Sequence, residues 1–370
     1  MPFYDDFQKG CTLQWFTRQL HTLSIYAAKV AAKVAKDAVA SEAEGAVASS
    51  HQGIVNLGVS CYAGAIMQVL FSAHNFSKPC FSDLDVAVAT SDALKDFHMV
   101  LQALGRGGRG EAVSMTSELA YITDESGEYS LQLNYQHCAQ EYLIKLLGHI
   151  EQFPNPYRAN VSLFAASVQS TFECTLCKVT TSPKPARTLN IQLHLPDDLP
   201  ELGNSLVGLV GRHFNSNDTA TVTRNCSNCA GTISRETLKL VEAPQYMTFH
   251  LVRMRFNNQN GVATKIDREI TVEETLDMSA YCDVEMPAAK YKLRAIVHHI
   301  GTSCDQGHYI ADVTTADGKF WRCNDADVTQ IAQLGGIQLG NSGRPRRECA
   351  MLVRNNVTKK TPYLVIYQKT

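Results

Sequence analysis

"GIVNLGVSCYAGAIMQVL" occupies Gly53–Leu70. Its first half, through Asn56–Ser60, is small and polar and reads as a turn. From Cys61 onward the apolar residues Tyr62, Ile66, Met67, Val69 and Leu70 recur at helical spacing. The stretch therefore sets a thiol in the first turn of a helix that otherwise looks like core. A single buried cysteine most often behaves as a small hydrophobe. A helix N-terminus, however, favours the thiolate, and the N–H groups of the preceding loop can face a reacting carbonyl. The rest of the chain has to choose between these readings.

The bulk properties narrow the classes. The chain has 370 residues, a formal charge of −2 and 45% hydrophobic residues, enough for a large core and two or three structural units. So balanced a charge gives no support for a nucleic-acid partner or an anionic membrane surface. No apolar run reaches the roughly 18 residues of a bilayer span. The opening "MPFYDDFQKG" is acidic where a secretory signal is basic. A cytoplasmic or nuclear location follows as the expectation, with thiols reduced. The 12 cysteines then read as core residues, metal ligands or nucleophiles.

Residues 1–50 form an expected helical extension that becomes Ala-rich and ends in the linker-like "SEAEGAVASS". Helical patterns follow. "DALKDFHMVLQALG" stops at the glycines of "GRGGRG". "QHCAQEYLIKLLGHIEQF" spaces Ala139, Tyr142, Leu143, Leu146, Leu147 and Ile150 for one buried face. After "PNPY" the texture becomes strand-like in "RTLNIQLHLP", "ETLKLVEAPQYMTFHLVRMRF", "YKLRAIVHHIG", "HYIADVTTADGKFWRC" and "PYLVIYQKT". "DGK" reads as a hairpin turn, and "SGRPRRE" as an exposed basic loop. Helices first and strands later predict an α+β fold.

Two C-x-x-C pairs, Cys174 with Cys177 and Cys226 with Cys229, have the spacing of tetrahedral zinc knuckles. A two-residue gap lets both thiolates of a tight turn face one ion, and two turns complete four ligands. No position is left for water, so the zinc is structural in this reading.

The far end of the chain answers the cysteine. "HHIGTSCDQGHYIADV" carries His308 between Gly307 and Tyr309, at the start of a strand. "DGKFWRCNDADV" carries Asn324 and Asp325 on the next strand of a hairpin. Histidine on one strand and an amide or carboxylate on its neighbour supply a base and its orienter. Cys, His, Asn/Asp is the papain-type order. The interval from Cys61 to His308 is 247 residues, against roughly 130–150 in papain-like enzymes, and both cysteine pairs lie inside the excess.

These motifs resemble the ubiquitin-specific proteases, papain-like cysteine deubiquitinases, over roughly residues 52–369. Gly53–Leu70 looks like the family's cysteine box. "YKLRAIVHHIGTSCDQGHYIADV" followed by "GKFWRCNDADVTQI" looks like its histidine box. "QHCAQEYLIKLL", "TFHLVRMRF" and "PYLVIYQK" are similar to three further family segments. The resemblance implies a helical thumb (about 51–155), zinc-bearing β fingers (about 165–250) and a β-rich palm (about 251–370), all within a catalytic domain of residues 51–370. It implies Cys61 as nucleophile, His308 as base and then acid, Asn56 as an oxyanion-stabilising amide and Asp325 as an assisting acid. Alignment on Trp321 puts Asp325 in the triad; alignment on "ND…V" puts Asn324 there and is preferred, because it also matches Val328. Gln136, Glu141, His299, Gly307 and Tyr309 are the candidate substrate-binding residues, and ubiquitin or a ubiquitin-conjugated protein is the implied partner.

The sequence also departs from the family pattern. Val59-Ser60 replaces Asn-Thr, and Ala63-Gly64-Ala65 replaces Met-Asn-Ser. Cys138 stands where the family has an aspartate that helps bind the basic ubiquitin tail. Loss of that acid removes on the order of 1 kcal/mol if exposed. A ubiquitin-like substrate, or a catalytically weak binding module of the same fold, is the alternative. Cys11, Cys80, Cys282, Cys304, Cys323 and Cys349 read as structural, with Cys304 the one exposed to oxidation.

Overall fold

Helix α1 (Cys61–Ser72) is buried along all twelve of its residues. Small side chains at Ala63, Gly64 and Ala65 let it run through the interior, and Tyr62, Ile66, Met67 and Leu70 are fully enclosed. Burying a side chain of that size contributes roughly 1.5–3 kcal/mol. This computed structural model describes residues 51–81, 91–107, 111–124, 126–195, 204–214, 221–257, 262–284, 286–301, 307–335 and 360–370. The expected helical extension over 1–50, the "SGRPRRE" loop, Cys11, Cys304 and Cys349 lie outside the described residues.

Around α1 stand α2 (His74–Ser77), α3 (Asp92–Arg106), α4 (Ser117–Tyr121) and α5 (Ala139–Gln152). Gly107, at φ 60°, ends α3 as the glycine run predicts. The six residues expected on the inner face of α5 are all fully buried. The polar tips of the two central tyrosines are satisfied on α4: Tyr62 donates to the Ala120 carbonyl (2.9 Å) and Tyr142 to that of Leu119 (3.0 Å).

Strands occupy the second half of the described chain. β1 (Ala166–Cys174), β2 (Thr180–Thr181), β3 (Ala186–Thr188), β5 (Thr221–Thr223) and β6 (Ile233–Glu242) form one antiparallel sheet, while β4 (Ile191–His194) belongs to another. That larger sheet has eight strands. Joining β4 are β7 (Tyr246–Val252), β10 (Thr275–Asp277), β11 (Lys290–Ile300), β12 (His308–Thr314), β13 (Phe320–Asn324), β14 (Asp327–Ile331) and β15 (Thr361–Lys369). β8 (Met254–Asn257) and β9 (Val262–Lys265) make a separate ribbon, and α6 (Leu206–Phe214) packs on β4. The stretch read as fingers, about 165–250, is therefore not one layer: β4, α6 and β7 join the larger sheet or its cover.

Both faces of the larger sheet are covered. Along β11 and β15, Ala295, Val297, Leu364 and Ile366 join the helical core, while Ile296, Val365 and Tyr367 join a second core with α6. Strands enclosed on both sides need apolar residues at consecutive positions, hence "LVIY". The smaller sheet differs, because the interior residues of β1 are only half-buried.

Candidate active site

The site begins with a backbone junction. Ile54 N–H donates to the Asp325 carbonyl (2.8 Å), so the strip before the cysteine lies against the tight turn between β13 and β14. On its other side the strip pairs with Val113: Val113 N–H donates to the Gly53 carbonyl (2.8 Å) and Val55 N–H to that of Val113 (2.9 Å). Three sequence-remote segments meet here.

Asn56 ties the loop together. Its Oδ1 accepts from the N–H groups of Gly58 (2.8 Å) and Ser60 (3.1 Å), and its Nδ2 donates to Asp325 Oδ2 (3.0 Å). Gly58, at φ 114°, supplies a left-handed turn that other residues adopt only under strain. Ser60 then precedes α1, and Cys61 is its first residue.

The histidine opens β12. His308 Nε2 lies 2.6 Å from Asn324 Oδ1 and 3.8 Å from Asp325 Oδ2. The hydrogen bond thus goes to the amide, and the carboxylate is an electrostatic neighbour. Asn324 engages Nε2, so Nδ1 remains for proton exchange. Asp325 holds φ 53°, a conformation that aspartate tolerates better than most side chains.

Cys61 is 3% exposed. Burial pushes its thiol up to about 12, although the backbone N–H of Tyr309 favours the thiolate; the Asp325 charge adds to the upward push, and N–H groups of the helix start oppose it. Burial thus favours the neutral thiol over the thiolate at this position. Cys61 lies against the strand that carries the histidine, since α1 packs on β12.

The candidate substrate residues separate by depth. Gly307 is exposed, and a Cβ there would lie 2.4 Å from His299 Nε2, so the glycine is required by that contact. His299 and Tyr309 are not on an open face: both side chains are buried, 4.8 Å apart between ring centroids, with Tyr363 beside them. Neither ring nitrogen of His299 has a hydrogen-bond partner, and burial lowers its pKa to about 3. Gln136 is half-buried with Nε2 unpaired, and the exposed Glu141 pairs with Lys145 (3.5 Å). Cys138 precedes α5 with its sulfur 2.9 Å from the Tyr363 hydroxyl, a neutral pair where the family pattern has a charge. Gly53 and Val113, which build the junction, were absent from the sequence candidates. Gly53 opens the stretch that leads into Cys61, but only the fold gives it a neighbour.

Far along the chain, the sulfurs of Cys174, Cys177, Cys226 and Cys229 lie within 4.8 Å of one another. Cys174 and Cys229 approach to 3.7 Å, Cys177 and Cys226 to 3.6 Å. Backbone N–H groups donate to sulfur at Cys226, from Asn228 (3.3 Å), and at Cys229, from Gly231 (3.3 Å). The Val179 N–H lowers the Cys177 thiol to about 6. The Gly231 N–H favours a Cys229 thiolate, but partial desolvation and the neighbouring sulfurs push this thiol up to about 12. Four sulfurs this close cannot all ionise without a cation, and a soft divalent ion would resolve the conflict. The cluster could hold a metal ion.

The family model described as "Ubiquitin carboxyl-terminal hydrolase" matches residues 52–367. The chain belongs to that family. It is 25% identical to the Ubl carboxyl-terminal hydrolase 18 of Homo sapiens over 333 residues, covering 86% of this chain and 84% of that protein. It is also 25% identical to ubiquitin carboxyl-terminal hydrolase 48 of Danio rerio over 303 residues, 78% of this chain but 28% of that longer protein. Among solved structures, the SAGA DUB module Ubp8/Sgf11/Sus1/Sgf73 bound to monoubiquitin matches with a TM-score of 0.64 at 20% identity, over 92% of this chain and 74% of that one. That likeness supports the α+β, papain-like fold expected from the sequence.

Proposed function

We propose that this chain is a cysteine-type deubiquitinating hydrolase that cleaves the isopeptide or peptide bond after a C-terminal Gly-Gly through a thioester on Cys61. One observation carries the reading: the His308–Asn324 hydrogen bond stands at a junction that also binds the loop leading into Cys61.

Residue roles follow from chemistry. His308 takes the Cys61 proton as the tail carbonyl arrives, and the thiolate attacks. The Cys61 backbone N–H and the second proton of Asn56 Nδ2 receive the oxyanion, each such donor being worth roughly 3 kcal/mol of barrier. His308 returns the proton to the leaving lysine amine and then activates water to open the thioester. Asn324 fixes the imidazole orientation. Asp325 holds Asn56 and supplies nearby negative charge. The four-cysteine cluster takes a structural Zn2+, which would clip its two knuckles together. Free thiolates or disulfides would oppose that assignment on metal analysis. The absence of a membrane-length apolar helix among the described residues fits action in the cytoplasm or nucleus.

Ubiquitin and a ubiquitin-like modifier are both candidate substrates. The Cys138–Tyr363 pair, neutral where the family pattern is acidic, favours a tail bound with less charge attraction. A second reading, a weak hydrolase that chiefly binds, is favoured by the enclosed Cys61 thiol alone. A fluorogenic C-terminal reporter separates them: turnover of ubiquitin or a ubiquitin-like reporter supports hydrolysis, and binding without turnover supports the binding module.

A further inference from the structure

Gly53 approaches the hairpin turn more closely than any side chain would permit. A Cβ built there would lie 2.2 Å from the Ala326 carbonyl oxygen and 2.6 Å from that of Asp325. Both obstacles are backbone, so no rotamer change relieves them. The strip cannot retreat either, because its opposite edge is bonded to Val113 on both sides, at 2.8 and 2.9 Å. Any side chain at position 53 must therefore displace the turn. That turn begins with Asp325, whose neighbour Asn324 holds His308 at 2.6 Å and whose own carboxylate holds Asn56 at 3.0 Å.

We infer that Gly53 is a positioning residue for the reaction: its missing side chain seats the Asp325–Ala326 turn and so sets the spacing between the cysteine loop and the imidazole. The inference rests on the hydrolase reading. It separates two duties. Gly53 is buried against the turn and offers no surface to a substrate, so affinity should be indifferent to position 53, while the alignment of His308 should not. Opening the contact to an ordinary carbon–oxygen distance moves the turn by about 1 Å, a displacement that can cost about 100-fold in rate.

The test is Gly53→Ala in the full chain, assayed on a C-terminal fluorogenic reporter of ubiquitin or a ubiquitin-like modifier. Expected are a kcat fall of about 100-fold, a KM within threefold of wild type, and an altered pH profile of kcat as the Asn324–His308 bond opens. Ala326→Gly loosens the same turn without adding bulk and serves if Gly53→Ala does not fold. It should lower kcat three- to tenfold, again with little change in KM. Adding Ala326→Gly to Gly53→Ala should restore part of the loss, because the turn can then yield without dragging Asn324. A kcat within threefold of wild type in Gly53→Ala, or unchanged in Ala326→Gly, overturns the inference while leaving the hydrolase reading intact. A wild-type chain that turns over no such reporter overturns both.

Discussion

The cysteine–histidine junction and the four-cysteine cluster solve the same problem by different means. Each joins segments far apart in sequence. At the junction, the partners are backbone hydrogen bonds, a bare glycine and a helix buried along its whole length. At the cluster, four sulfurs gather on a sheet whose central strand β1 is only half-buried. A junction of the first kind is held by the core and needs no ion. The second has a half-buried strand beneath it and four sulfurs close enough to hold a cation, which on the zinc proposal would stabilise it. The lesson is that the catalytic geometry should survive conditions that dismantle the fingers.

Removing metal should give the largest change. Chelation, or Cys177→Ser, should make the β1–β6 sheet protease-sensitive while the larger sheet stays protected, since structural zinc in small peptides contributes on the order of 10–16 kcal/mol to folding. Limited proteolysis with metal analysis checks this, and simultaneous loss of both sheets would break the comparison. On the other side, Leu147→Ala in the thumb core should cost about 2–5 kcal/mol and lower the main thermal transition without changing metal content. Asn324→Ala should lower kcat by about 100-fold with the metal retained, and more than Asp325→Asn does, because the amide rather than the carboxylate is within hydrogen-bond reach of His308. Equal losses would mean that the carboxylate shares the orienting role.

The pH behaviour sharpens the contrast further. Burial holds the Cys61 thiol at about 12, so in His308→Ala its thiolate should form only as pH rises toward that value. Alkylation of Cys61 in that variant should be slow at pH 7 and climb on the alkaline side. Cys177 should instead be protected from alkylation while metal is bound and become accessible once its removal opens the sheet.

Legibility followed the range of the interactions. The two C-x-x-C pairs were readable because ligand spacing is local, and the inner face of α5 because helical periodicity is local. The order Cys61, His308, Asn324 was readable as residue types, and the resemblance to a family supplied their roles. What the sequence lacked was depth. His299 and Tyr309 read equally as cleft or core residues, and only the fold shows both side chains enclosed, His299 on β11 and Tyr309 on β12. The splitting of the finger stretch between two sheets depends on β4 pairing in parallel with β7, a contact that no local pattern announces.

The most direct measurement is covalent capture by a ubiquitin-tail electrophile, with a ubiquitin-like probe alongside. Wild type should form one adduct, on Cys61; Cys61→Ala should form none, and His308→Ala should react far more slowly at pH 7. An adduct that persists in Cys61→Ala, or a folded wild type inert to every such probe, would contradict the account.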